Sequence, residues 1–135
     1  MSAQGVGVQT GGINVPSSSI SILVSLVGIA KELLNPEELS QDLEASLQFG
    51  VRRAQGVVPY REGTLHDSIG YRMNGPMSGV LEATADHAMP IEMGHRTRSG
   101  SFVAARPYLR PSADELFDFL VERIRRRLES KGLRA

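Results

Sequence analysis

With 135 residues and no internal repeat, the chain is long enough for one modest hydrophobic core and too short for two ordinary domains. Its 41% hydrophobic and 22% charged residues are ordinary for a soluble globular protein, while 14 glycines and few aromatics predict much loop and exclude a collagenous or mucin-like chain. Zero cysteines exclude disulfides, thiolate metal sites and cysteine nucleophiles, and a formal net charge of zero argues against a generally nucleic-acid-binding or polybasic membrane protein.

Residues 1–19 are rich in Gly, Ser, Gln and Val without helical or strand periodicity, which predicts an extended, flexible arm ahead of a single domain over 20–135. A neighbouring subunit would order such an arm. Residues 20–27 alternate imperfectly and are β-branched, the pattern of a strand. The apolar run over 20–30 is about half of the roughly 20 residues a membrane-spanning helix needs, and no basic segment precedes it, so neither a membrane span nor a signal peptide is expected.

Asn35, Pro36 and Glu38 predict a helix start, with a side-chain cap, proline in the first turn and a glutamate reaching back. Leu39, Leu43, Leu47, Val51 and Ala54 then recur on one face, and Gly56 and Pro59 predict its end near Gln55. A hairpin is expected from a strand over 65–73, turn residues Asn74, Gly75 and Pro76, and a second strand over 80–85. Residues 87–101 read as a polar, mobile loop and 102–105 as a short strand. Ser112 and Glu115 form a second capping-box pattern, and Leu116, Leu120, Ile124 and Leu128, flanked by Phe117 and Val121, predict a last helix with Glu122, Arg125 and Arg126 outside and Gly132 as its stop. The fold class expected is α+β, a small antiparallel sheet packed against two amphipathic helices.

Charge is distributed unevenly along this chain. Residues 1–30 carry none, 32–44 carry only acids after Lys31, and 95–110 carry four arginines and no acid, a polarity that suits a subunit meeting different neighbours. Thirteen of the fifteen basic residues are arginine, through either a GC-rich genome or a need for forked contacts to carboxylates between subunits.

Chemistry is hard to find. Asp86, His87, Glu92 and His95 are the best metal-ligand candidates, as would suit a metal-dependent hydrolase or nuclease, but their spacing does not place two imidazoles on one helical face. A solvated loop broken by Pro90 and Gly94 is the preferred reading, so no catalytic residue, metal or cofactor is assigned. The glycines at 5, 7, 11 and 12 do not open a helix after a strand and make no phosphate loop. Arg123, Arg125, Arg126 and Arg127 could contact phosphates as in a nucleic-acid-binding protein, though Glu122 and Glu129 favour an ordinary solvated helix face. Arg96 and Arg98, with His95 beside them, are the better candidates for meeting a partner or DNA, because no local acid neutralises them.

Three motifs in fixed order carry a resemblance: VPYREGTLHDSI at 58–69, AMPIEMG at 88–94 and ARPYLRP at 105–111. Together they resemble the gene-ten-product family of lambdoid phages, small tail-completion, neck or minor tail components. The likeness covers residues 20–132 and departs from the family pattern at Glu62, where threonine is usual, and at His87, where tyrosine is common. It implies a non-enzymatic virion protein, assembled in the host cytoplasm, that joins or completes the tail at the head as a sixfold homo-oligomeric ring. It also implies head-closure and tail-terminator or tail-tube proteins as partners, non-specific contact with DNA in the channel, and no membrane. Arg106 and Arg110, stiffened by adjacent prolines, then become either intersubunit partners of carboxylates such as Glu92 or part of an intrachain cap on the last helix.

Overall fold

Asn35 opens the first long helix as its side chain requires. Its Oδ1 accepts the Glu38 N–H at 2.8 Å while Glu38 Oε1 accepts the Asn35 N–H at 3.3 Å, so two donors that a helix start leaves unmatched are satisfied reciprocally. This helix, α1, runs Pro36–Val57, and its apolar stripe buries Leu39, Leu43, Leu47 and Ala54 completely. The computed structural model describes residues 7–10, 19–25, 34–58 and 63–132. Most of the arm, the end of the first expected strand and the Pro59 stop lie outside them.

The main sheet contains β1 (Gly7–Thr10), β2 (Ile20–Ser25), β3 (Ile69–Gly75) and β4 (Ser78–Ala83) in the order β1-β2-β4-β3, every pair antiparallel. Ile22 lies opposite Leu81, and Leu81 opposite Tyr71, so three strands are in register through the middle of the sheet. A bulge between Met73 and Gly75 precedes the turn at 76–77, where Ser78 Oγ donates to Asn74 Oδ1 at 2.5 Å.

α1 lies over β3 and β4, and the last helix, α4 (Leu109–Ser130), over β4 and β2. The two helices are antiparallel: Glu38 and Asp42 near the start of α1 meet Arg127 and Arg123 near the end of α4, while Arg53 near the end of α1 meets Glu115. Between helices and sheet, Ile22, Val24, Leu39, Leu43, Leu47, Leu81, Leu116 and Leu120 are fully buried, each worth roughly 1.5–3 kcal/mol against solvent. Gly50 lets the helices close up, since a Cβ there would stand 2.5 Å from Leu116 Cδ1. Phe49 and Phe119 stack across the seam at 4.4 Å. The α+β class, the two amphipathic helices and the antiparallel sheet are as the sequence predicts. Among the described residues no helix is long and apolar enough to cross a membrane.

Within the arm, Gly7–Thr10 pair with β2 of their own chain as an edge strand. Four expectations are corrected. Residues 63–68, expected to begin the hairpin strand, form a short helix, α2 (Gly63–Ser68), whose single turn buries Leu65 and lets Ser68 Oγ bond the Leu65 carbonyl at 2.8 Å. The strand therefore starts at Ile69. The expected loop over 87–101 holds a helix, α3 (Ala88–Met93), and the first strand of a small hairpin, β5 (His95–Arg96) with β6 (Phe102–Val103). Pro90 falls in the first turn of α3, where its missing N–H costs nothing. The short strand ends at Val103 rather than residue 105. Finally, Ser112 and Glu115 make no capping box: α4 begins four residues earlier than such a box would start it, Pro111 fits its first turn, Ser112 Oγ donates to the Tyr108 carbonyl at 2.7 Å, and Glu115 pairs with Arg53 at 2.8 Å.

Candidate functional site

α4 starts at Leu109 without any cap from its own flanking side chains. Its first N–H groups are instead met by Glu92, brought in from α3. One carboxylate oxygen accepts from the Tyr108 and Leu109 N–H at 2.9 and 2.8 Å, and the other accepts from the Arg110 N–H at 3.0 Å. Glu92 is 4% exposed. A carboxylate at a helix N-terminus faces the positive end of the helix dipole, and charge-assisted bonds of this kind are about twice as strong as neutral ones.

Two further bonds lock the same junction. Tyr108, fully buried, donates its hydroxyl to the Ala88 carbonyl at 2.9 Å, and the Arg106 N–H reaches the Ile91 carbonyl at 2.8 Å. Burial pushes the Tyr108 phenol well above its ordinary value, and the negative charge of Glu92 adds to the rise. Gly94 then turns the chain from α3 into β5 with a φ of 81°, against β6 so closely that a Cβ would stand 3.0 Å from the Val103 carbonyl oxygen and the Ala105 nitrogen.

What this junction holds out to solvent is a platform of apolar and cationic side chains. Phe102 and Met93 are 64% and 65% exposed, and Met89 and Val103 are exposed beside them. Arg98, Arg106 and Arg110 have no ion-pair partner among the described residues, and Arg96 only donates to the Gly100 carbonyl at 3.2 Å. Arg110 also borders a cleft of about 180 Å³ with Ile20, Ile22, Glu92, Met93 and Pro107. His95 lies half-buried with Nδ1 3.3 Å from the Pro90 carbonyl oxygen.

A second polar cluster ties α1 to α4. Asp42 has a side chain only 2% exposed, and Arg127 grips it with a fork, Nε to one oxygen at 2.8 Å and Nη2 to the other at 3.0 Å. Arg123 adds a contact at 3.2 Å, and Glu38 links Arg127 at 3.3 Å to Lys131 at 3.1 Å. The Lys131 ammonium holds the Glu38 carboxyl below its ordinary value, and Asp42 raises Arg127 above its own. An open cleft of about 280 Å³ lies beside this cluster. With every member paired, it clamps the helices together rather than holding out a reactive group.

The expected site residues are thus divided. Glu92 is spent inside its own chain and is not available as an intersubunit carboxylate. It follows the intrachain alternative, through backbone N–H groups and not through guanidinium groups. The guanidinium groups of Arg106 and Arg110 make no bond to it, and both residues are exposed. His95, Arg96 and Arg98 are grouped on the hairpin. The terminal arginines are only partly a solvated face: Arg125 and Arg126 pair with Glu122, but Arg123 and Arg127 turn inward to Asp42. Asp86, His87, Glu92 and His95 do not converge, and among the described residues no three His, Asp or Glu side chains form a metal-binding group. Sequence reasoning missed Asp42, whose signal was a carboxylate beside Leu39 and Leu43 on the buried stripe. It also missed Phe102 and Met93 as exposed apolar groups.

No family model, curated protein or solved structure matches the chain.

Proposed function

We propose that the chain is a non-catalytic structural subunit of the head-tail connector of a long-tailed phage, working as one member of a ring that joins or completes the tail. The observation that carries this reading is that two of the motifs behind the resemblance form one structural unit. The glutamate of AMPIEMG supplies the N-terminal cap for the helix that ARPYLRP begins. The spacing of those motifs is what a glutamate-capped junction demands, and the junction stiffens a platform whose exposed Met93, Phe102 and arginines resemble the composition of protein interfaces. A rigid surface with apolar anchors is what an assembly subunit needs. A catalytic site would need a nucleophile or acid-base pair held by an oriented partner.

The genetic test is to remove the gene from the phage or prophage that carries it and view the lysate by electron microscopy. DNA-filled heads and separate tails, restored to whole particles by the gene in trans, are expected. Normal infectious particles without the gene would overturn the reading.

A further inference from the structure

The platform has four exposed apolar side chains and unpaired arginines, and the same chain carries its complement elsewhere. Asp114, Asp118 and Val121 follow one another on α4 at spacings of four and three residues, so they share one face. All three are exposed, and neither aspartate has a cationic partner among the described residues. Arg125, further along that face, is already held by Glu122 and Glu129. The chain thus has one surface with excess guanidinium around Phe102 and Met93, and another with excess carboxylate around Val121. Neither surface satisfies the other within the molecule.

We infer that the occupant of the β5–β6 platform is a second copy of this chain: Arg96 and Arg98 of one copy meet Asp114 and Asp118 of the next, and Phe102 covers Val121. The contact rests on the reading of the chain as an assembly subunit and names the surfaces that assembly would use. Because the two surfaces differ, the contact is heterologous. Each copy keeps one free surface after pairing, and repetition gives a closed ring or an open helical filament. Apolar groups rimmed by charge mark protein partners, whereas a phosphate backbone would use the arginines and leave Phe102, Met93 and Val103 in water.

Two charge-reversal variants of the full chain test this by native mass spectrometry: Arg96→Glu with Arg98→Glu, and Asp114→Lys with Asp118→Lys. All four side chains are exposed and, among the described residues, outside ion pairs, so both variants should fold, which circular dichroism checks. The unaltered chain is expected to assemble beyond two copies. Each variant alone should lose self-association by about a hundredfold or more, since like charges are brought together. An equal mixture should regain assembly with the two variants alternating, because the original arginine–aspartate contact and the reversed glutamate–lysine contact are both complementary, and the variant with all four changes should regain assembly by itself. A lone chain or a two-fold dimer for the unaltered protein would overturn the inference. So would variants that assemble normally, or a hairpin variant that loses only duplex DNA binding. Assembly that ignores both reversals removes this contact and leaves the connector reading standing, whereas normal particles made without the gene remove that reading whatever the copies do in solution.

Discussion

Glu92 and Tyr108 tie α3 to the start of α4 through two bonds: the Glu92 carboxylate accepts the Tyr108 N–H at 2.9 Å, and the Tyr108 hydroxyl reaches back to the Ala88 carbonyl, in the first turn of the helix that carries Glu92. Removing the carboxylate strands three buried or half-buried N–H groups at the start of α4. Glu92→Ala should cost about 3 kcal/mol and Glu92→Gln about half that, because the amide keeps one acceptor oxygen and turns an NH2 toward the remaining donor. Urea unfolding of the two variants measures this. Equal and negligible losses would show the cap to be dispensable.

The clamp between α1 and α4 makes a separate prediction. Arg127→Ala leaves Asp42 buried with one arginine, and Asp42→Ala leaves Arg127 with Glu38 alone, so each should cost about 2–4 kcal/mol. The double variant should cost clearly less than the sum, with a coupling of about 1 kcal/mol or more in a double-mutant cycle. Additive losses would mean that the forked geometry contributes nothing.

Close packing at Gly50 predicts the sign of one substitution. Alanine is the better helix former by about 1 kcal/mol, yet its methyl would press on Leu116, so Gly50→Ala should destabilise by about 1–2 kcal/mol net. Gly50→Ala combined with Leu116→Ala should recover part of that loss relative to Leu116→Ala alone. A thermal melt that rises for the single variant would contradict the close approach.

Stability should fall at both ends of the pH scale for identifiable reasons. Glu38 and Glu122 are held below their ordinary value of 4.5, by Lys131 and by Arg125 respectively as the leading causes. Their contribution is therefore present above pH 4.5 and is lost as pH falls through the lowered values. Tyr108 is raised above its ordinary 10.0, so the stability of its neutral form is present below pH 10 and fades as pH climbs beyond. Tyr108→Phe should be less stable at neutral pH, for want of the bond to Ala88, and should lose less from pH 9 to 11 (roughly one unit either side of tyrosine's ordinary value) than the unaltered chain. Parallel curves would contradict the assignment to Tyr108.

Much of this was legible in the sequence where the determinants are local. The cap at Asn35, the stripe from Leu39 to Ala54, the hairpin turn after Asn74 and the burial of Leu116 and Leu120 each depend on neighbours within a helical turn or a strand. Errors arose where a distant residue decides. Ser112 and Glu115 imitate a capping box, but Glu92, sixteen residues before Tyr108, caps the helix from outside and moves its start. The segment after His87 looks like a polar loop because Pro90 and Gly94 punctuate it. Pro90 is harmless in a first turn, and Gly94 supplies the positive φ that folds β5 against α3's own exit. The arginines at 96, 98, 106 and 110 stood out in the sequence as charges without acids. That Phe102 and Met93 are exposed among them is a property of the folded surface.

The connector reading is tested most directly by quantitative mass spectrometry of purified virions, with this chain measured against the major capsid protein. A structural ring subunit should be present in a small fixed number of copies per particle, of the order of one sixfold ring, and should stay with the particle through density-gradient purification. Its absence from purified particles, with the chain abundant in the infected cell, would contradict the account.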